Sequence, residues 1–372
     1  MVKKIAVLRA NALGDYIFII PALQALKEAY PEAELTLLGK QWHKDFLTDR
    51  AGPVNRVVVV PPYPGVGEKE NFNADIAEVN TFFSEMQKEE FDMAFQLHGG
   101  GKNSNPFLLR LGAKLNAGLK TPDAVDLDIN VPYVYYFSEI LRYLEVVSKV
   151  GATTTSIEPV VTVLQSDINE ATNVLTNHNK PIAVIHPGAT DVRRRWPAEN
   201  FSQIADFLTN EGFQVCITGV SAEKEIVSGV ITNARNSEKI QDLCGKLTLN
   251  GMTGLLSLAE VVISNDTGPL HLARAVKTPT AGIFLCGNGI TGLPMTTAYN
   301  RTLMSWTVNC PLCGLSSKQF DKEDRGFCTH ETSFVTDVTV QEVKLTVAEL
   351  ISNSKKQNKV LRDSFSETVQ RF

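Results

Sequence analysis

No stretch of this 372-residue chain approaches the roughly 20 consecutive apolar residues that a membrane-spanning helix needs. No basic excess is present either. Lys and Arg number 36 against 41 Asp and Glu, a formal net charge of −5, which leaves no electrostatic footprint for nucleic acid. Cysteine is scarce, with six residues, too few for a disulfide scaffold in a chain of this length. Lys3-Lys4-Ile5-Ala6-Val7-Leu8 opens a strand and the chain then turns polar, which is not the pattern of a signal peptide. The thiols are therefore expected to be reduced, in a cytoplasm. Also missing are GxGxxG, the P-loop, GxSxG and HExxH, so dinucleotide, nucleoside-triphosphate, serine-hydrolase and zinc-protease readings have no fingerprint.

What is present suits a globular α/β protein: 43% hydrophobic and 21% charged residues, in a length that fits two cores better than one. Ile5 to Leu8 is a continuous apolar run, as in a strand buried on both faces of a parallel sheet. A loop from Arg9 to Asp15 follows, then a helix over Ile17 to Tyr30, in which Pro21 is tolerable only in the first turn. Strands at Leu35 to Leu38, Val57 to Val60 and Phe91 to Leu97 continue the alternation, with helices near His43 to Leu47 and over Tyr136 to Val150. The pattern loosens between Gly151 and Lys180. A second alternating set then runs from Ile182 to Phe284. The expected architecture is two Rossmann-like, doubly wound domains facing across a cleft, one over 1–165 and the other over 166–346. The C-terminal segment 347–372 is expected to pack back on the first domain. In open α/β sheets ligands bind at the carboxyl ends of the strands, so the loops there are where chemistry is sought.

Ile263-Ser264-Asn265-Asp266-Thr267-Gly268-Pro269-Leu270-His271-Leu272 runs from a buried strand into a helix whose first position suits proline. Free amides and the helix dipole at such a terminus receive phosphate; alternatively Asp266 simply caps the helix. His271, in the first turn, either reaches the same ligand or is packed. A second turn, Pro187 to Pro197, carries Arg193, Arg194 and Arg195, which would offset a diphosphate's charge with bidentate donors or form a solvated basic turn. Glu223 follows a strand end, where a carboxylate meets ribose hydroxyls or lies in solvent. In the first half, Asp15 after Ala12-Leu13-Gly14 is placed either as a general base at the cleft edge or as a helix cap. Gly14 keeps that turn tight.

Taken together, these segments resemble glycosyltransferase family 9, the heptosyltransferases of the GT-B fold, over most of the chain. The resemblance rests on Val7-Leu8-Arg9 to Leu13-Gly14-Asp15, Pro21 to Lys27 and Tyr30-Pro31. Phe91-Asp92 to Gln96 and Leu111-Gly112-Ala113 extend it. In the second half it rests on His186-Pro187-Gly188, Arg194 to Pro197, Asp242 to Lys246 and Asn265 to Leu272. It implies an inverting transfer of a sugar from a nucleotide-diphospho-sugar such as ADP-heptose, with no cofactor required. Asp15 would match the base that deprotonates the acceptor hydroxyl. Arg194 matches a position usually held by a lysine that contacts the donor phosphates. Thr190, Glu223, Leu247, Asp266, Thr267, Gly268 and His271 fall at donor-contacting positions, and Arg9 matches a basic residue facing the acceptor.

The implied acceptor is a glycan or glycolipid, in lipopolysaccharide core or another surface glycan. A protein hydroxyl, as in autotransporter glycosylation, and a non-catalytic sugar-nucleotide binder are the alternatives. An epimerase of the same shape would need further cleft carboxylates that cannot be placed. Without a polybasic surface, at most peripheral membrane contact is expected. Finally, Cys310-Pro311-Leu312-Cys313, with Cys328 and His330, resembles zinc-knuckle spacing, and the autotransporter-modifying group uses a cysteine-held iron. Cys328-x-His330 is not a usual metal pair, so packing thiols are favoured over a structural zinc or iron.

Overall fold

The computed structural model describes residues 1–315 and 330–353. The chain divides into two compact units, Met1–Thr162 and a second from Val163 onward.

The first unit runs β1 (Lys4–Leu8), α1 (Leu13–Ala29), β2 (Glu34–Gly39), α2 (Gln41–Leu47), β3 (Arg56–Val59), β4 (Tyr63–Pro64), β5 (Gly67–Glu68), α3 (Ile76–Lys88), β6 (Met93–Gln96), α4 (Ser104–Leu109), β7 (Leu115–Lys120), β8 (Ile129–Pro132) and α5 (Glu139–Ser148). Six strands form a sheet in the order β3-β2-β1-β6-β7-β8, every neighbouring pair parallel. Ile5 to Leu8 and Leu35, Leu37 and Leu38 are almost fully buried because helices cover both faces of a parallel sheet. α5 turns Ile140, Tyr143, Val146 and Val147 inward, the i, i+3, i+4 stripe of a helix lying on a sheet.

α1 starts four residues earlier than its apolar spacing predicts and carries Pro21 in its interior, not in its first turn. The helix runs on through the proline because Ile17, Ile19, Ile20, Ala22 and Leu23 are buried around it, and that packing offsets the lost hydrogen bond.

The second unit runs α6 (Gln165–Val174), β9 (Ile182–His186), α7 (Ala198–Asn210), β10 (Gln214–Ile217), α8 (Lys224–Asn233), β11 (Ile240–Asp242), α9 (Leu249–Leu258), β12 (Ala259–Asn265), α10 (Gly268–Ala275), β13 (Thr280–Leu285), α11 (Cys286–Gly292) and β14 (Asn300–Ser305). Its sheet has the order β11-β10-β9-β12-β13-β14, again wholly parallel. β9 and β13 are buried at every position. Phe201, Ile204, Ala205 and Leu208 of α7 face this sheet, at the i, i+3, i+4, i+7 positions of one helix stripe.

A helical run at 340–353 places Val343, Val347, Leu350 and Ile351 in the core of this second unit. The described part of the C-terminal segment thus packs here, because its apolar stripe completes the sheet's helical cover, and not on the first unit as expected; the rest lies outside the described residues.

In each unit the chain leaves the first strand outward, through β2 and β3 or β10 and β11. It then returns to the other side of that strand, at β6 or β12. The loops after β1 and β6, and after β9 and β12, therefore flank a topological switch point, where amides and side chains converge without a crossover covering them.

Candidate functional site

At the first unit's switch point, Arg9 leaves β1 and is buried, its side chain 3% exposed. Its guanidinium donates from Nη2 to Asp15 Oδ1 (2.8 Å) and from Nε to the Asp15 carbonyl (3.1 Å). Nη1 donates to the Leu97 carbonyl and the Tyr143 hydroxyl. The Tyr143 hydroxyl donates in turn to Glu139, whose carboxylate lies 3.6 Å from Arg9. Burial disfavours the Arg9 charge, but Tyr143, Asp15 and Glu139 together outweigh it and hold the guanidinium above its ordinary pKa.

Arg9, expected on the acceptor side, is buried, and its guanidinium is held by Asp15, the Leu97 carbonyl and Tyr143.

Asp15 itself sits in the first turn of α1. The residue preceding the helix is Ala12, which has no side chain to cap with, and Asp15 Oδ2 accepts the Ala12 N–H (3.0 Å). The cap expected as the bland role is thus partly made, from inside the helix. The Asp15 side chain remains 37% exposed, so lone pairs stay open to a ligand. Gly14 is buried beneath it.

Two histidines that sequence reasoning passed over flank this carboxylate. His98, one residue beyond Leu97 at the end of β6, accepts the Ala10 N–H on Nδ1 (3.2 Å). His43 accepts the Lys40 N–H (3.0 Å). Burial, helped by the Arg9 charge, lowers both to a pKa of about 3, so both are neutral at pH 7. The signal that was available for His98 is a strand-end histidine followed by Gly99-Gly100-Gly101. Tyr143 and Glu139 gave none, because they read as one face of an ordinary helix.

In the second unit, Asn265 at the end of β12 ties the two switch-point loops together. Its Nδ2 donates to the Pro187 carbonyl (2.8 Å) and its Oδ1 accepts the Trp196 N–H (3.0 Å). That seats Val192–Arg194, a single 3-10 turn, beside the start of α10. Arg194 Nη1 reaches the Asp266 carbonyl (3.2 Å) and Oδ2 (3.4 Å), and His271 Nε2 lies 3.1 Å from Asp266 Oδ1. Burial works against the Asp266 charge. The hydrogen bond and charge of His271, with the Arg194 and Arg274 cations, outweigh it and hold the carboxyl below its ordinary range.

Asp266 is therefore not the helix cap. Thr267 precedes α10, with no side-chain cap on its amides, and Gly268 opens the helix, so the amide end is left for a ligand. Arg194 Nε is buried with no hydrogen-bond partner among the described residues, a donor the protein itself does not use.

The three arginines separate. Arg193 closes on Asp191 (2.6 Å), Arg195 donates to the Ala189 carbonyl (2.7 Å), and Arg194 alone points to Asp266. Glu223 lies against Gly188: a Cβ there would come within 2.0 Å of its carboxylate, so glycine is required for the close approach. Glu223 also accepts the Val220 N–H (2.9 Å) and stands 3.9 Å from His186 Nε2. Thr190 is exposed on the loop after β9, and Leu247 is half-buried on the loop after β11. Cys310, Cys313 and His330 converge in the second unit; Cys328 lies outside the described residues.

Two parallel Rossmann-like sheets are the architecture of glycosyltransferases of the GT-B fold. The profile of glycosyltransferase family 9 (heptosyltransferase) matches residues 79–310, and the chain belongs to that family. Lipooligosaccharide heptosyltransferase 2 of Haemophilus ducreyi is 22% identical over 375 residues, spanning 93% of this chain and 99% of the relative. The solved structure of Escherichia coli ADP-heptose lipopolysaccharide heptosyltransferase II superposes with a TM-score of 0.72 at 17% identity, covering 95% of this chain and 99% of that one. Escherichia coli heptosyltransferase WaaC with ADP-2-deoxy-2-fluoro heptose gives a TM-score of 0.66 at 18% identity, covering 93% and 99%. No helix among the described residues is long and apolar enough to cross a membrane.

Proposed function

We propose that this protein transfers heptose from ADP-heptose to a hydroxyl of lipopolysaccharide core, with inversion at the anomeric carbon and with no metal in the chemical step. The observation that carries the donor half is the Arg194–Asp266–Thr267–Gly268 corner. A guanidinium with an unused Nε beside an uncapped helix start suits a diphosphate, whose charge grows as the bond to the sugar breaks. Asp266, braced by His271, holds Arg194 in place until the donor arrives. Glu223, Thr190 and Leu247 line the nucleoside and sugar side of the same edge.

Asp15 is the base. One oxygen takes Arg9 and the other takes the Ala12 N–H, which fixes the carboxylate plane while leaving lone pairs for the acceptor hydroxyl. As that oxygen attacks the anomeric carbon, its proton passes to Asp15 and ADP leaves. Arg9 is a positioning residue here. The relatives' names, lipooligosaccharide heptosyltransferase and lipopolysaccharide heptosyltransferase, support the choice of sugar and acceptor.

The test is to incubate the chain with ADP-heptose and a heptose-deficient lipopolysaccharide core. ADP release that depends on the core, with one heptose added in the inverted anomeric configuration, is expected. Donor binding without transfer to the core, or transfer only to a protein hydroxyl, refutes the reading.

A further inference from the structure

We propose that the segment 133–137 of the first unit is a docking platform for the acceptor, its aromatic rings stacking on the sugar rings of a glycan. The inference rests on the glycan-acceptor reading above and names the surface that would receive that acceptor. Tyr133-Val134-Tyr135-Tyr136-Phe137 leaves β8 at the carboxyl edge of the parallel sheet, the edge that also carries Asp15 after β1. Val134, Tyr135, Tyr136 and Phe137 are all exposed, as is Leu141 in the first turns of α5. Single exposed apolar residues are ordinary on a protein surface, but four in succession, three of them aromatic, mark a contact face.

The fold holds this exposure in place. Arg142 of α5 is buried, and its Nη2 donates to the carbonyls of Val134 (2.6 Å), Tyr135 (2.9 Å) and Phe137 (3.0 Å). Its Nη1 donates to Glu139 Oε1 (2.6 Å), and its guanidinium lies 4.4 Å from the centre of the Tyr133 ring. A charge taken out of water must be answered by hydrogen bonds, and here the loop's own carbonyls answer it. With those carbonyls gathered on one guanidinium, the loop keeps a fixed course. The exposed rings of Tyr135 and Tyr136 meet edge to face, 4.9 Å apart. A surface ordered in advance loses less entropy on binding than a loose one.

The charge around the loop selects the occupant. From 120 to 142 the chain has two basic residues against four acidic ones. Both basic residues are engaged, Lys120 by Asp126 (2.6 Å) and Arg142 by Glu139 (2.6 Å). An anionic bilayer surface would want free lysines and arginines here. A sugar ring is neutral, and the slight positive charge of its C–H face suits the negative face of an aromatic ring, while tyrosine hydroxyls hydrogen-bond its rim. Continuity with the base adds a second reason. Glu139 takes Arg142 on one oxygen and the Tyr143 hydroxyl on the other. The second oxygen lies 3.6 Å from Arg9, which donates to Asp15. Platform and base are thus braced from one carboxylate, with Phe137 two residues before it, so a glycan seated on the rings can extend to Asp15.

The test uses the full chain and a heptose-deficient core oligosaccharide freed of its acyl chains, so that sugar alone is read. The double variant Tyr135→Ser, Tyr136→Ser, at exposed positions, should raise the acceptor KM and the oligosaccharide Kd by about tenfold or more. Its kcat at saturating acceptor and its Kd for ADP-heptose should stay near the parent values. Leu345→Ser, an exposed apolar position of the second unit, should match the parent throughout, and circular dichroism checks that each variant is folded. A folded double variant that binds the oligosaccharide like the parent overturns the inference. So does a defect seen only with acylated acceptor or with phosphatidylethanolamine–phosphatidylglycerol vesicles, which would make the loop a lipid contact. A change confined to self-association in sedimentation overturns it too. In each of these cases core-dependent transfer by the parent leaves the proposed function standing, whereas a parent chain that neither binds nor glycosylates the core overturns both.

Discussion

Replacing Arg9 by methionine separates two roles that the same residue could have at this sheet edge. The guanidinium is buried and donates to Asp15 twice, to the Leu97 carbonyl and to Tyr143, with Glu139 3.6 Å away. Methionine fills much of the volume but leaves these acceptors unanswered. Glu139 keeps a partner in Arg142 (2.6 Å), and Asp15 is partly exposed, so neither carboxylate loses everything. Removing one member of a buried ion pair costs about 3–5 kcal/mol, and those remaining partners put the expected loss at the lower end, about 3 kcal/mol.

The same change frees the Asp15 carboxylate to swing. A displacement of the base by about 1 Å costs roughly 100-fold in turnover. Denaturant unfolding and steady-state ADP release should therefore show lower stability and lower kcat together. The KM for donor should stay near the parent value, since the donor groups lie in the other unit. If Arg9 were an acceptor contact, Arg9→Met would raise the acceptor KM and leave stability almost unchanged. That result would refute the positioning argument.

Asp15→Asn should lower turnover by about 10²–10⁴-fold with ADP-heptose binding, followed by calorimetry, nearly intact; a loss of stability with full turnover would reduce Asp15 to its capping bond. Arg194→Ala should weaken ADP and ADP-heptose by roughly 10–100-fold and adenosine far less, and equal losses for all three ligands would move the phosphate site elsewhere. The histidines set a pH dependence for the first unit. Their folded pKa of about 3 lies below the unfolded value of about 6.5, so the unfolded chain takes up protons first as the pH falls. Stability is then complete above about pH 6.5 and declines toward pH 3, by roughly 1.4 kcal/mol per pH unit for each of His43 and His98. Melting curves between pH 7 and 5 check this, and the slope should fall by about half in His98→Gln; an unchanged slope would show that His98 does not carry it.

Much of the architecture was legible in one dimension, because a strand buried on both faces must be apolar throughout. Ile5 to Leu8, Ile182 to His186 and Thr280 to Phe284 announced themselves in that way. The Asp266-Thr267-Gly268-Pro269 and Leu13-Gly14-Asp15 turns were legible too, since a strand end followed by a helix start has a local signature. The resemblance singled out Arg194, but the local pattern by itself could not tell which of Arg193, Arg194 and Arg195 is available to a ligand. That depends on Asp191 and the Ala189 carbonyl claiming two of them, and on Asn265 bringing a loop 69 residues away against Trp196. Nor could it turn Arg9 inward, because Tyr143 lies 134 residues on and meets it only when α5 packs on the sheet. Cys313 and His330 come together for the same reason. Spacing along the chain fixes which groups share a turn, whereas a guanidinium's direction or the meeting of distant side chains is decided by acceptors and donors that tertiary packing delivers from elsewhere.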